Sequence, residues 1–144
     1  MAGRFHTHNL FVSHSWAYTR ERFLFEKLLD RDPTFYYRNL AVPRDDPVHA
    51  RGRASLEQEI ERRIRLAHVV VVLAGVYATH SEWIQIEMDI ARTTYDRPKP
   101  ILGVVPYGAE RTSTVVQKSA DRLVRWNGKS IVRAIRELAR RRSR

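Results

Sequence analysis

Few residues of this chain combine a type and a spacing that could do chemistry, and the most telling is Glu87. Thr79 to Ala91 has helical spacing. On a wheel of about 100° per residue, Trp83, Ile86, Ile90 and Ala91 form an apolar stripe, with Glu82, Gln85 and Asp89 opposite. Glu87 falls in the middle of that stripe. An inward carboxylate is costly unless it is paired, hydrogen-bonded or used. If the segment follows a central strand, Glu87 sits beside the strand ends where open α/β sheets bind ligands. An ion pair with an Arg, or a side chain that snorkels out, would account for it equally well, and spacing alone leaves both open.

Other chemistry can be set aside on missing residues. There is no Cys, hence no thiolate nucleophile, thiolate metal site or disulfide framework. No G-x-S-x-G elbow follows Gly75. Gly128-Lys129-Ser130 looks like the end of a phosphate-binding loop, but Leu123 stands where the first glycine belongs. Leu73-Ala74-Gly75 lacks the Asp of a phospho-acceptor domain, and Ser13 to Trp16 lacks the Gly of a flavin loop. His6 and His8 have no carboxylate cluster or HExxH beside them, so no metal is expected. Ser13, His14, Ser15 and Trp16 remain as polar and aromatic groups at a strand end, with His14 either lining a site or capping the next helix.

The elements that must position these groups alternate. Val69 to Ala74 is an apolar run with four β-branched residues, ended by Gly75, and reads as a central parallel strand. Thr79 with Glu82 fits a capping box, which starts the next helix near His80. Residues 9–13 read as the first strand, Ala17 to Asp30 as a helix, and Phe35 to Arg38 as an edge strand. Asn39 to Ala54 is the one long unpatterned segment, with Asp45-Asp46-Pro47 inside it. Ser55 to Leu66 is helical, residues 101–105 and 122–126 are strands, residues 114–120 a short helix, and Ile131, Ala134, Ile135 and Leu138 stripe the last helix. Such alternation implies an α/β, flavodoxin-like three-layer sandwich. Its five-stranded parallel sheet has order 2-1-3-4-5, with helices on both faces. The 144 residues fit a single domain, with 1–7 and 140–144 as flexible ends.

The formal charge of +10 is concentrated at the end of the chain. Without interleaved aromatic residues this reads as a solvated helix end rather than a nucleic-acid surface, although the basicity would favour an anionic ligand. The longest apolar run is far below the ~20 residues of a membrane helix, and no signal-peptide core is visible. A cytoplasmic protein is expected.

Ser81, Trp83 and Glu87 match the Ser-x-Trp-x-x-x-Glu pattern of NAD-cleaving members of the Toll/interleukin-1 receptor (TIR) domain family. The chain resembles that family, and most closely its TIR-like sensor subunits in bacterial Thoeris anti-phage systems. The resemblance also rests on His8 to Trp16, Val42 to Pro47, Leu73 to Ala78 and Tyr107 to Ser113. It departs from many TIR enzymes in having Ile84 where they place Cys after the Trp, a position that is not catalytic.

The resemblance implies NAD as substrate, no separate cofactor, and Glu87 as the catalytic residue. Ser13, His14, Ser15, Trp16, Asp45, Asp46, Tyr77, Ser81 and Trp83 would bind the substrate. Residues 39–54 would be the mobile loop between strand 2 and the second helix. The expected reaction releases nicotinamide and forms a cyclic ADP-ribose isomer, a signal to an effector protein. Self-association, a phage-derived trigger and weak activity in isolation go with it, and neither nucleic acid nor membrane is an expected partner. Two alternatives stay open: a non-catalytic TIR module that signals by assembly, and a nucleoside deoxyribosyltransferase-like enzyme.

Overall fold

The computed structural model describes residues 6–13, 19–75, 78, 81–108 and 111–143. Five strands, β1 (Thr7–Ser13), β2 (Tyr36–Asn39), β3 (Val69–Leu73), β4 (Ile101–Val104) and β5 (Arg122–Val124), pair in parallel in the order β2-β1-β3-β4-β5. The α-helices among the described residues are α1 (Thr19–Asp30), α2 (Arg53–Leu66), α3 (Glu82–Thr93), α4 (Thr114–Ser119) and α5 (Gly128–Ser143). This is the α/β, flavodoxin-like arrangement expected from the alternation.

All five residues of β3 are buried, because the strand is covered on both faces. Its side chains alternate between two cores. Val69, Val71 and Leu73 pack with Phe25 and Leu29 of α1 and Ile131, Ile135 and Leu138 of α5. Val70 and Val72 pack with Ile60 and Ile64 of α2, Ile84 and Met88 of α3, and Val116 of α4. The same alternation runs along β1, with Leu10 and Val12 on the α1/α5 side and Phe11 on the other. Ser13 therefore faces the layer that contains α3.

Several boundaries differ from the sequence reading, each for a local reason. The 39–54 segment is not without pattern. Asp46 caps a 3-10 turn, Pro47–Arg51, by accepting a hydrogen bond from the Val48 amide at 2.9 Å. Pro47 takes the first position of the turn, where a missing N–H does no harm. Ala41, Val42 and Val48 are buried in the α2/α3 core. Arg63 ties the segment down through Asp46 at 3.4 Å and the Leu40 carbonyl at 3.1 Å. Gly52, at φ 101°, turns the chain directly into α2, which begins at Arg53 rather than Ser55. The helix after β3 is capped by Ser81 rather than starting near His80; Thr79 and His80 lie outside the described residues. Strand β5 ends at Val124, and the Trp126 ring instead packs edge-on to Phe25 at 6.0 Å.

Candidate active site

The centre of the site is made by two residues 74 positions apart. Ser13 ends β1, and β1 pairs with β3 so that Ser13 lies beside Val72. Helix α3 packs on the same face. Its buried positions are Ile84, Glu87, Met88, Ile90 and Ala91, so the stripe is centred nearer Ala91 than the wheel placed it. Trp83 and Ile86 lie at its margin, partly buried. Glu87 is thereby carried still deeper: it is 5% exposed, and Ser13 is 1% exposed.

The Ser13 hydroxyl donates to Glu87 Oε1 at 2.5 Å. No Arg or Lys among the described residues pairs with this carboxylate, and it is buried rather than turned out to solvent. Burial pushes its pKa up to about 8, against the opposing pull of the Ser13 hydrogen bond. Burial thus favours the protonated form of the group. A cation placed beside it would favour the ionised form.

The remaining residues expected to bind substrate fare unequally. His14, Ser15, Trp16 and Tyr77 lie outside the described residues. Ser81 caps α3, its hydroxyl accepting from the Ile84 amide at 3.3 Å. Trp83, four residues before Glu87 in the same helix, is half-buried with the Arg53 guanidinium 4.9 Å from its ring centroid. Arg53 also pairs with Glu82 at 2.5 Å on the exposed rim. Asp46 is engaged in capping its turn and in the pair with Arg63, while Asp45 is exposed. Neither aspartate contributes to the environment that shifts Glu87.

Two groups near the strand ends escaped the sequence reading. Arg53 stands beside Gly52 and near Arg51 in the sequence, with nothing local to mark it. Glu21 lies on α1, and its carboxylate oxygens are 3.6 and 3.9 Å from where a Cβ on Gly75 would sit. It is half-buried beside the end of β3, and burial raises its pKa. Only the packing of α1 against that strand end reveals it.

Residues 11–111 match the family described as Thoeris protein ThsB, TIR-like domain. The chain belongs to this family. The matched segment includes both Ser13 and Glu87 and stops before β5 and α5. No curated protein matches the chain. Membership in the ThsB family places the chain in Thoeris defence, a system that also comprises partner effectors. No helix among the described residues is long and apolar enough to cross a membrane.

Proposed function

We propose that this ThsB-family chain cleaves the N-glycosidic bond of NAD, releases nicotinamide, and closes the remaining ADP-ribose into a cyclic isomer that signals to an effector protein. One observation carries the reading: the buried carboxylate of Glu87, held by Ser13 at the carboxyl ends of the strands, with no cation among the described residues to neutralise it. Isolated inside a core, such a group is a liability; beside a developing sugar cation it is an asset.

The chemistry asks little else of the protein. The pyridinium of NAD leaves as neutral nicotinamide, taking the bonding electron pair, so no general acid is required. That distinguishes the reaction from ordinary glycoside hydrolysis, which uses two carboxylates. Glu87 engages the hydroxyls of the nicotinamide ribose and stabilises positive charge at the anomeric carbon. The substrate's own positive charge lowers the Glu87 pKa from about 8 and leaves the carboxylate ionised when it is needed. A hydroxyl of the same molecule then attacks the anomeric carbon and loses its proton, closing the ring; attack by water gives linear ADP-ribose. Trp83 packs near the nicotinamide once the Arg53 guanidinium yields its face. Ser13, His14, Ser15, Trp16, Tyr77 and Ser81 complete the substrate site in this proposal, with Asp45 at its margin.

The reading is tested by incubating the protein with NAD, alone and with lysate of phage-infected cells, and separating the products by chromatography. Nicotinamide and a cyclic product, in greater amount with infected lysate, are expected. Absence of nicotinamide in both incubations would overturn the enzymatic reading in favour of a signalling module that acts by assembly.

A further inference from the structure

The opposite end of the sheet carries a second concave, strongly basic feature. A cavity of about 190 Å³ opens where β1 and β3 begin, lined by His6, His8, His68, Arg136 and Arg140 among others. A second, of about 300 Å³, adjoins it, because Arg136 and Arg140 line both; Lys129, Arg133 and Asp32 line the rest. Lys129, Arg133, Arg136 and Arg140 recur at three- and four-residue intervals on α5, which puts them on one face of that helix. His8 lies five residues before Ser13 in β1, so this feature is about 16 Å from the Glu87 site at ~3.3 Å per residue. Helix α5 lies outside the segment shared with the ThsB family.

We propose that this end of the domain is a binding site for a small phosphate-bearing anion, held by Arg136 and Arg140 with His6, His8 and His68 around it. Three observations support it. First, the cationic groups are placed but not neutralised. Arg136 is fixed over the Phe35 ring, 5.5 Å from its centroid, and donates to the Thr34 carbonyl at 3.1 Å through Nη2. Nη2 also reaches the Thr34 hydroxyl oxygen at 3.4 Å, while Nε and Nη1 have no acceptor among the described residues and Arg140 makes no hydrogen bond or ion pair there. The one carboxylate lining these cavities among the described residues, Asp32, accepts from the Thr34 amide at 2.9 Å and hydroxyl at 2.7 Å and feels the Arg136 charge without forming an ion pair with it.

Second, the histidines sit in a field of one sign. His8 stacks on Phe35 at 5.3 Å and meets His68 edge-on at 6.3 Å. Its pKa is held below the ordinary value by burial and then by His68, Arg136 and His6, against the opposing pull of a backbone hydrogen bond with Tyr36. His8 Nδ1 is buried without a hydrogen-bond partner. His68 Nδ1 accepts from the Asn9 amide at 2.9 Å, so the proton of its neutral form is on Nε2. Third, size limits the ligand. The smaller cavity lies below the ~300–1,000 Å³ of drug-sized ligand sites and suits one phosphate group; with its neighbour the space reaches the lower part of that range. Arginine forks match phosphate oxygens in pairs, and several cations converging on one point favour a dianion over a carboxylate.

The test is calorimetric titration of the full chain at low salt and pH 6.5 with inorganic phosphate, pyrophosphate, AMP and oligonucleotides of increasing length. It is run on the unaltered protein, Arg140→Gln, Arg136→Gln/Arg140→Gln and Glu87→Gln. Saturable binding of one phosphate group per chain is expected, weakened at least tenfold in the double variant and unchanged in Glu87→Gln. Proton NMR of the histidine ring should show the His8 pKa rising when phosphate is added. Arg140 is exposed and makes no hydrogen bond or ion pair among the described residues, so Arg140→Gln keeps the fold and must by itself weaken binding several-fold. Absence of saturable binding, or binding that Arg140→Gln leaves intact, would overturn the proposal. So would affinity that simply grows with oligonucleotide length, which would mean a nucleic-acid surface. Failure of NAD cleavage would leave this result untouched, because the two sites share no residue.

Discussion

Replacing Glu87 by Gln keeps the shape of the side chain and removes its titration, which makes the burial of that carboxylate measurable as stability. Its pKa of about 8 in the folded chain stands against an ordinary 4.5. The folded state therefore holds this proton more tightly than the unfolded chain does. The resulting stability is complete below about pH 4.5 and is lost progressively as pH rises to about 8. The slope in that window is about 1.4 kcal/mol per pH unit. Between pH 6.5 and 9 only the first 1.5 units count, 8 minus 6.5, so about 2 kcal/mol is lost. Urea denaturation followed by tryptophan fluorescence, on both proteins at both pH values, reads the effect. Because every other group titrates alike in the two proteins, the difference between them isolates Glu87. Relative to the unaltered protein, Glu87→Gln should gain about 2 kcal/mol on going from pH 6.5 to pH 9. A difference that stays constant would show that Glu87 is already ionised at pH 6.5, and the argument from burial would fail.

Further outcomes follow from the same coordinates. Ser13→Ala removes a hydrogen bond that favours the Glu87 carboxylate. It should cost about 1–3 kcal/mol and move the acid limb of the pH–rate profile for nicotinamide release to higher pH, whereas an unmoved limb would detach Ser13 from the chemistry. Lys99 is buried and donates to the Arg65 and Ala67 carbonyls at 2.7 and 3.0 Å, closing the end of α2. Lys99→Met should lower stability by about 2–4 kcal/mol in urea, and no loss would mean those carbonyls find water instead. A Cβ at Gly103 would come within 2.7 Å of Leu123 Cδ1 and 3.0 Å of Val116 Cγ1. Because Leu123 is half-exposed and can rotate aside while Val116 cannot, Gly103→Ala should cost about 1–2 kcal/mol by thermal denaturation, and a stability equal to that of the unaltered protein would contradict it.

The sheet was legible because β3 is apolar at every position and because strand and helix patterns alternate on short connections. The order β2-β1-β3-β4-β5 then follows from fold-class rules. Helix starts were less legible. Thr79 and Ser81 both suit an N-cap, and Ser81 takes the role, its hydroxyl 3.3 Å from the Ile84 amide. The 3-10 turn at Pro47–Arg51 had a signal that passed unread, an Asp followed at once by Pro, and Val48 inside it was the sole apolar hint of burial. Glu87 stood out on the helical wheel because a charge in an apolar stripe is a local anomaly. Its partner could not be found that way. Nothing local connects Ser13 to Glu87; only the parallel pairing of β1 with β3 brings them together. The same holds for Glu21 at Gly75 and for Arg53 over Trp83, contacts between residues that each look like ordinary surface charges in sequence.

The central claim is that the buried Glu87 carboxylate cleaves NAD. Its most direct test is the rate of nicotinamide release by Glu87→Gln beside the unaltered protein, both activated by lysate of phage-infected cells. Loss of a charge that stabilises the transition state at close range costs on the order of 10²–10³ in rate, so the variant should fall at least a hundredfold while binding NAD with similar affinity. Nicotinamide release at an equal rate by both proteins would contradict the account.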